Sequence, residues 1–224
     1  MDLNLYEETS QYYVHQYESH ELWLDGRKHS IGGSDASTFI GMNPYKTNNT
    51  LWKEKKGLIK PKEVKGDAVD HGNYLEPVLR AWFEASYFDY EVQYLKDCIL
   101  QSKTNEWQQY SPDGLLLHHK KGRGIFEAKT TLIKNMNMYD QWKDNKMPQH
   151  YYIQVLHGLL VTGFDFVYVV AELRFAWKRN TEIVEIEFTR EEVLEDLEWL
   201  MEKEKFNYEE FYLKNQEPPT ILFM

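Results

Sequence analysis

The feature that most limits this chain is a β-rich middle set between two helical patterns. Residues 90–94, 99–102, 115–118 and 125–129 read as strands, punctuated by Ser111-Pro112-Asp113-Gly114 and Lys120-Lys121-Gly122-Arg123-Gly124. The last two runs flank the lysine turn closely enough to form a hairpin. Upstream, Leu75, Val78, Leu79, Trp82 and Phe83 recur at helical spacing across 69–88. Pro77 is then expected in the first turn, where its missing N–H costs little. Residues 10–24 also read as helical, ending at Asp25-Gly26. Ser34 or Asp35 caps a short helix to Ile40, and 49–56 form another. Downstream, helical pattern returns at 133–144 and 149–162, followed by strands at 166–173 and 183–188. A capping box, Thr189-x-x-Glu192, opens a last helix through Val193, Leu197, Leu200 and Met201. The order α, β, α, β, α predicts an α/β (mixed α+β) fold: a central mixed sheet with helices on both faces.

No repeat and no Pro/Gly/Ser-rich linker divides the chain, so residues 1–224 read as one domain. The single cysteine, Cys98, excludes a disulfide framework, a cysteine zinc finger and a four-cysteine cluster, and favours a reducing compartment. The first ten residues are acidic and polar, with no signal-peptide pattern. No apolar run approaches the ~18 residues of a membrane span. The net charge of −10 argues against nucleic acid at face value, but charge is segregated. Residues 182–217 hold thirteen of the 36 acids and four of the 26 bases, while 46–65 hold seven lysines against Glu54 and Glu63. That lysine segment is a candidate for DNA-backbone contact, balanced against a solvated loop.

Three carboxylates stand out. Alone, Asp113 reads as a turn aspartate, Glu127 with Lys129 as a solvated pair on one strand face, and Glu76 as a first-turn glutamate complementing the helix dipole. Together they form a sharper object. Asp113 opens the hairpin, its second strand carries Glu127-Ala128-Lys129 with both charges on one face, and a helix adds Glu76. Clustered carboxylates suit Mg²⁺ or Mn²⁺, and a nearby lysine can orient or deprotonate a water or stabilise a developing phosphoryl charge. That is equipment for metal-assisted phosphodiester hydrolysis.

Asp113 … Glu127-Ala128-Lys129 resembles the motif of the PD-(D/E)xK nucleases. The surrounding blocks resemble, in order, the lambda-exonuclease and YqaJ-type viral recombinase nuclease family. They are Trp23-x-x-x-Arg27, Ile31-Gly32-Gly33-Ser34-Asp35, Gly41-x-x-Pro44-Tyr45, Gly72-x-x-Leu75-Glu76-Pro77, Ser111-Pro112-Asp113-Gly114, Pro148-x-x-Tyr151-x-x-Gln154-Val155 and Val161-Thr162-Gly163. They span about residues 20–175; the acidic tail adds no motif.

The resemblance implies a restriction-endonuclease-like core and a role for each position. Glu76, Asp113, Glu127 and the Ala128 carbonyl would hold metal, Mg²⁺ or alternatively Mn²⁺, as two ions per site. Lys129 would serve the attacking water. Gln154, with Tyr151 as a further candidate, would line the site. Arg27, Ser34 and Ser111 would hold a 5′-phosphate, and 102–107 leave an extra acidic ligand open. His157 is a secondary candidate beside Gln154, with packing as its plainer reading. The implied activity is 5′-to-3′ digestion of linear double-stranded DNA, leaving 3′ overhangs. The implied setting is a trimeric ring, a single-strand annealing protein as partner, and the cytoplasm of a bacterial host carrying a phage or prophage. An endonuclease on the same fold and a non-catalytic DNA-binding protein are the alternatives.

Overall fold

The computed structural model describes residues 4–62 and 66–221; Glu63 and Lys65 of the lysine segment lie outside the described residues. In chain order these form β1 (Tyr12–Gln16), α1 (His20–Gly26), α2 (Gly33–Phe39), α3 (Asn48–Lys55), α4 (Asp67–Ser86), β2 (Tyr90–Gln93), β3 (Cys98–Ser102), β4 (Gln109–Tyr110), β5 (Gly114–His118), β6 (Gly122–Ile133), α5 (Met136–Asp140), α6 (Gln149–Thr162), β7 (Phe166–Phe175), β8 (Lys178–Thr189) and α7 (Leu194–Asn207). A π-helical stretch, Tyr208–Leu213, continues α7.

The central sheet has the order β2-β5-β6-β7-β8 and is mixed, because β6 and β7 run parallel while the other neighbours run antiparallel. The parallel step requires a crossover, and α5 and α6 supply it. β7 is an almost unbroken buried run, as a strand covered on both faces must be. Leu79 and Phe83 of α4 pack with Phe126, Tyr168 and Val170 on one face. On the other, Ile125, Val167 and Val169 join Ile153, Val155 and Leu159 of α6. A second sheet, β1-β3-β4, packs into this larger core.

Three expectations are corrected. Residues 12–16 are a strand, because Tyr12–Gln16 pair with the Cys98–Ser102 strand; tertiary pairing overrides a helical pattern there. α4 begins at Asp67, which puts Pro77 in its interior and Glu76 more than two turns from the N-terminus, not in the first turn. β6 continues to Ile133 where a helix was expected, because β7 pairs with it from Gly124 to Ile133. His118 is buried at the C-terminal end of β5, where Nδ1 accepts the Lys120 and Lys121 backbone N–H groups at 3.2 and 3.1 Å.

Candidate active site

Between α4, α6 and the start of β5 lies a cavity of about 880 Å³. It exists because β5 stops short. Gly114 opposite Phe126 is the last β5–β6 pair, so β6 runs on past its neighbour. The Ala128 N–H, on the side β5 would have covered, goes instead to Asp113 Oδ2 at 2.9 Å. The Ala128 carbonyl points the same way, since a strand residue directs both backbone groups to one side. The Ser-Pro-Asp-Gly bend is thereby locked to the Glu-Ala-Lys strand.

Alternation along β6 sends Glu127 and Lys129 toward α6. Glu127 is 1 % exposed, and both of its oxygens accept hydrogen bonds. Oε1 accepts from Lys129 Nζ and from Gln154 Nε2, each at 2.5 Å; Oε2 accepts from the Tyr110 hydroxyl at 2.5 Å. From α4, Arg80 donates to Glu76 Oε1 at 3.1 Å and to the Asp113 carbonyl at 2.5 Å, with its guanidinium 3.6 Å over the Tyr94 ring. Glu76 and Asp113 are so linked through one arginine.

The electrostatics follow from crowding. Burial and the adjacent Glu127 push the Asp113 carboxyl well above its ordinary value, against the pull of Lys129. Burial alone would lower the Lys129 ammonium, but the Glu127 and Asp113 charges outweigh it and hold the lysine above its ordinary value. Burial, then Glu127, raises the Tyr110 phenol far up, so Tyr110 stays a donor.

At the mouth, Arg27 Nη2 donates to Ser34 Oγ at 3.0 Å and the guanidinium lies 4.4 Å over the Trp23 ring. Trp23 Nε1 donates to Ser111 Oγ at 3.2 Å. Gly33 lets the N-terminus of α2 approach this closely. A Cβ there would sit 3.1 Å from the Tyr110 ring and 3.3 Å from Gln154. Lys55 braces the same loop from α3, donating to the Arg27 and Ser30 carbonyls at 2.9 and 2.7 Å and pairing with Asp35 at 2.7 Å.

The cavity therefore gathers Arg27, Ser34, Glu76, Ser111, Asp113, Glu127, Ala128, Lys129, Tyr151 and Gln154. His157 is not among its lining residues; it is fully buried one turn beyond Gln154 on α6, where its nitrogens meet Glu204 and the Gln109 carbonyl. Tyr110 and Arg80 were missed by sequence reasoning. Tyr110 directly precedes the Ser-Pro-Asp-Gly bend and Arg80 lies one turn past Glu76, but neither position announces its partner. Four lysines of the 46–65 segment find partners within the protein. Lys46 pairs with Glu54, Lys53 with Glu217 and Lys55 with Asp35, and Lys56 donates to the Tyr212 carbonyl. These four are engaged within the protein.

Oxygen donors dominate the floor of the cavity. Among the described residues no three His, Cys, Asp or Glu side chains are gathered as a ready-made metal cluster. The fold does assemble Asp113, Glu127 and the Ala128 carbonyl, a hard-oxygen set whose two carboxylates repel unless a cation joins them.

Residues 22–165 match the YqaJ-like viral recombinase domain, well over half of the chain. The chain belongs to the YqaJ-like viral recombinase family. It is 31 % identical over 190 residues to the uncharacterized protein YqaJ of Bacillus subtilis (strain 168), covering 79 % of this chain and 57 % of that relative's length. Two solved structures share its fold. An alkaline exonuclease (LHK-Exo) from Laribacter hongkongensis superposes with a TM-score of 0.56 at 19 % identity, over 87 % of this chain and 96 % of that one. LHK-Exo in complex with dAMP superposes with a TM-score of 0.57 at the same identity and coverage. The family fold is thus the restriction-endonuclease-like one, with its mixed sheet and flanking helices. No helix of the described residues is long and apolar enough to cross a membrane.

Proposed function

We propose that this chain is a metal-dependent deoxyribonuclease that digests one strand of linear double-stranded DNA from its 5′ end, leaving a 3′ overhang. The observation that carries this reading is the hydrogen bond from the Ala128 N–H to Asp113, which locks the aspartate beside the Glu127–Lys129 pair. Family membership and the shared exonuclease fold support a nuclease role.

In this reading Asp113, Glu127 and the Ala128 carbonyl would hold Mg²⁺, or Mn²⁺, as two ions per site, with Glu76 completing the set. The bound metal supplies Lewis acidity and an activated water. The chain's own residues do the rest. Gln154 and Tyr110 hold Glu127 in one orientation. Lys129 orients the attacking water at the scissile phosphate and offsets charge developing on its oxygens. Arg27 with the Ser34 and Ser111 hydroxyls receives a terminal phosphate; a guanidinium and two hydroxyls match its oxygens. That the fold relative LHK-Exo is known with dAMP supports a mononucleotide product. We carry over from the family resemblance a trimeric ring, a single-strand annealing partner and action in a bacterial cytoplasm. The one-domain reading of residues 1–224 stands as part of the same proposal.

The test is a time course with Mg²⁺ on 5′-labelled linear duplex, beside 5′-hydroxyl duplex, closed circles and a Lys129→Ala variant. Immediate release of labelled mononucleotide, slowed without the 5′-phosphate and absent on circles, supports the reading. Cutting of circles points to an endonuclease. Binding without cutting overturns the enzyme.

A further inference from the structure

The acidic C-terminal segment carries no sequence motif and lies beyond the family-matched residues 22–165. Yet α7 sends a carboxylate into the core: Glu204 is fully buried. Its Oε1 lies 2.8 Å from His157 Nδ1, and its Oε2 accepts from Gln108 Nε2 at 2.6 Å. His157 Nε2 lies 3.0 Å from the Gln109 carbonyl. Both ring nitrogens thus face oxygens, and opposite a carboxylate and a carbonyl only a doubly protonated imidazole serves both. Glu204 from α7, and Asp35 from α2 at longer range, are the charges that favour that form.

A buried ion pair is a poor source of stability, and its best-attested use is fixing one packing register. Here the register has a destination. The Gln109 side chain donates to the Arg27 carbonyl at 3.2 Å. The next residue, Tyr110, holds one Glu127 oxygen, and Gln154, one turn before His157 on α6, holds the other. Both arms of the clamp on Glu127 therefore rest on the elements that His157 joins.

We propose that Glu204 is a positioning residue for DNA cleavage: through His157 it sets β4 and α6 so that Tyr110 and Gln154 hold Glu127 in its working orientation. This rests on the nuclease reading above.

The test is Glu204→Gln in the full chain. Gln108 Oε1 is buried without a partner, so the Gln108 amide can turn over and accept from the new amide. Shape survives while the charge is removed, and a neutral His157 must give up one of its two bonds. We expect cooperative unfolding, affinity for 5′-phosphorylated duplex within about twofold, and kcat on that duplex lower by about tenfold with KM little changed. Nitrogen NMR should find His157 doubly protonated at neutral pH in the wild type and singly protonated in Glu204→Gln. The Glu204→Asp variant, which keeps the charge, should recover part of kcat. Unchanged kcat per folded molecule overturns the proposal, as does a loss explained by the folded fraction alone or a singly protonated His157 in the wild type. A wild-type chain that cuts no DNA with Mg²⁺ or Mn²⁺ overturns the nuclease reading instead, and the NMR result still decides whether the brace exists.

Discussion

The Tyr110 hydroxyl donates to Glu127 Oε2 at 2.5 Å across seventeen residues of chain. Lys129 and Gln154 take the opposite oxygen, so a carboxylate 1 % exposed is held by three donors from β4, β6 and α6. Such a group cannot rotate without losing a charge-assisted bond, and this is how a buried acid keeps one orientation.

Tyr110→Phe removes one of those donors and nothing else of comparable size. A buried ionised acceptor left short of a partner costs about 1–3 kcal/mol. Urea unfolding should show that loss, and nuclease turnover should fall with it. An unchanged midpoint would mean that water reaches Glu127 in place of the phenol.

Lys129→Met should retain DNA binding and lose cleavage. Loss of the group that serves the attacking water is worth about 10²–10⁴ in rate. Fluorescence anisotropy with labelled duplex and single-turnover cleavage separate the two effects; loss of both together would point to a collapsed site.

Arg27→Ala should erase discrimination between ends. The ratio of initial rates on 5′-phosphate and 5′-hydroxyl duplex, measured side by side, is expected to fall to about one as the bidentate donor is lost. A preserved ratio would place the phosphate elsewhere.

Lys55→Met tests whether Lys55 serves the fold or the DNA. Lys55 pairs with Asp35, whose carboxyl lies below its ordinary value because Lys55 and Arg27 outweigh burial. Breaking a largely buried pair costs about 3–5 kcal/mol. Stability should drop and end discrimination should weaken. The salt dependence of DNA affinity should stay as in the wild type, which it would not if Lys55 met a phosphate.

Stability should also depend on pH through His157. Burial depresses its pKa, but the Glu204 charge and hydrogen bond and the Gln109 carbonyl prevail, so the folded value lies above the ordinary 6.5. A raised folded pKa means that the stabilisation is fully present below about 6.5 and is lost as pH rises through the folded value. Thermal midpoints should decline over that window, and His157→Gln should flatten the decline.

Local chemistry made much of this protein readable in its residues. The order of helices and strands followed from periodicity of 3.6 and 2, because apolar faces must be buried whatever the partner. The β5–β6 hairpin followed from its glycine turn. The shared face of Glu127 and Lys129 followed from the pleat, and the blocks from Trp23 to Gly163 marked the family. What the residues could not declare was who meets whom at long range. Tyr12–Gln16 became a strand because Cys98–Ser102 offered it an edge. Pro77 fell inside α4 because the packing of Leu79 and Phe83 held a helix together through it. Lys55 turned inward because Asp35 of α2 was brought to it, and Lys53 and Lys56 met the C-terminal segment. Tyr110 reached Glu127, and Glu204 reached His157, for the same reason. A hydrogen bond between residues far apart in sequence depends on three-dimensional placement of both ends, and no spacing along the chain encodes that placement; the packed core decides it.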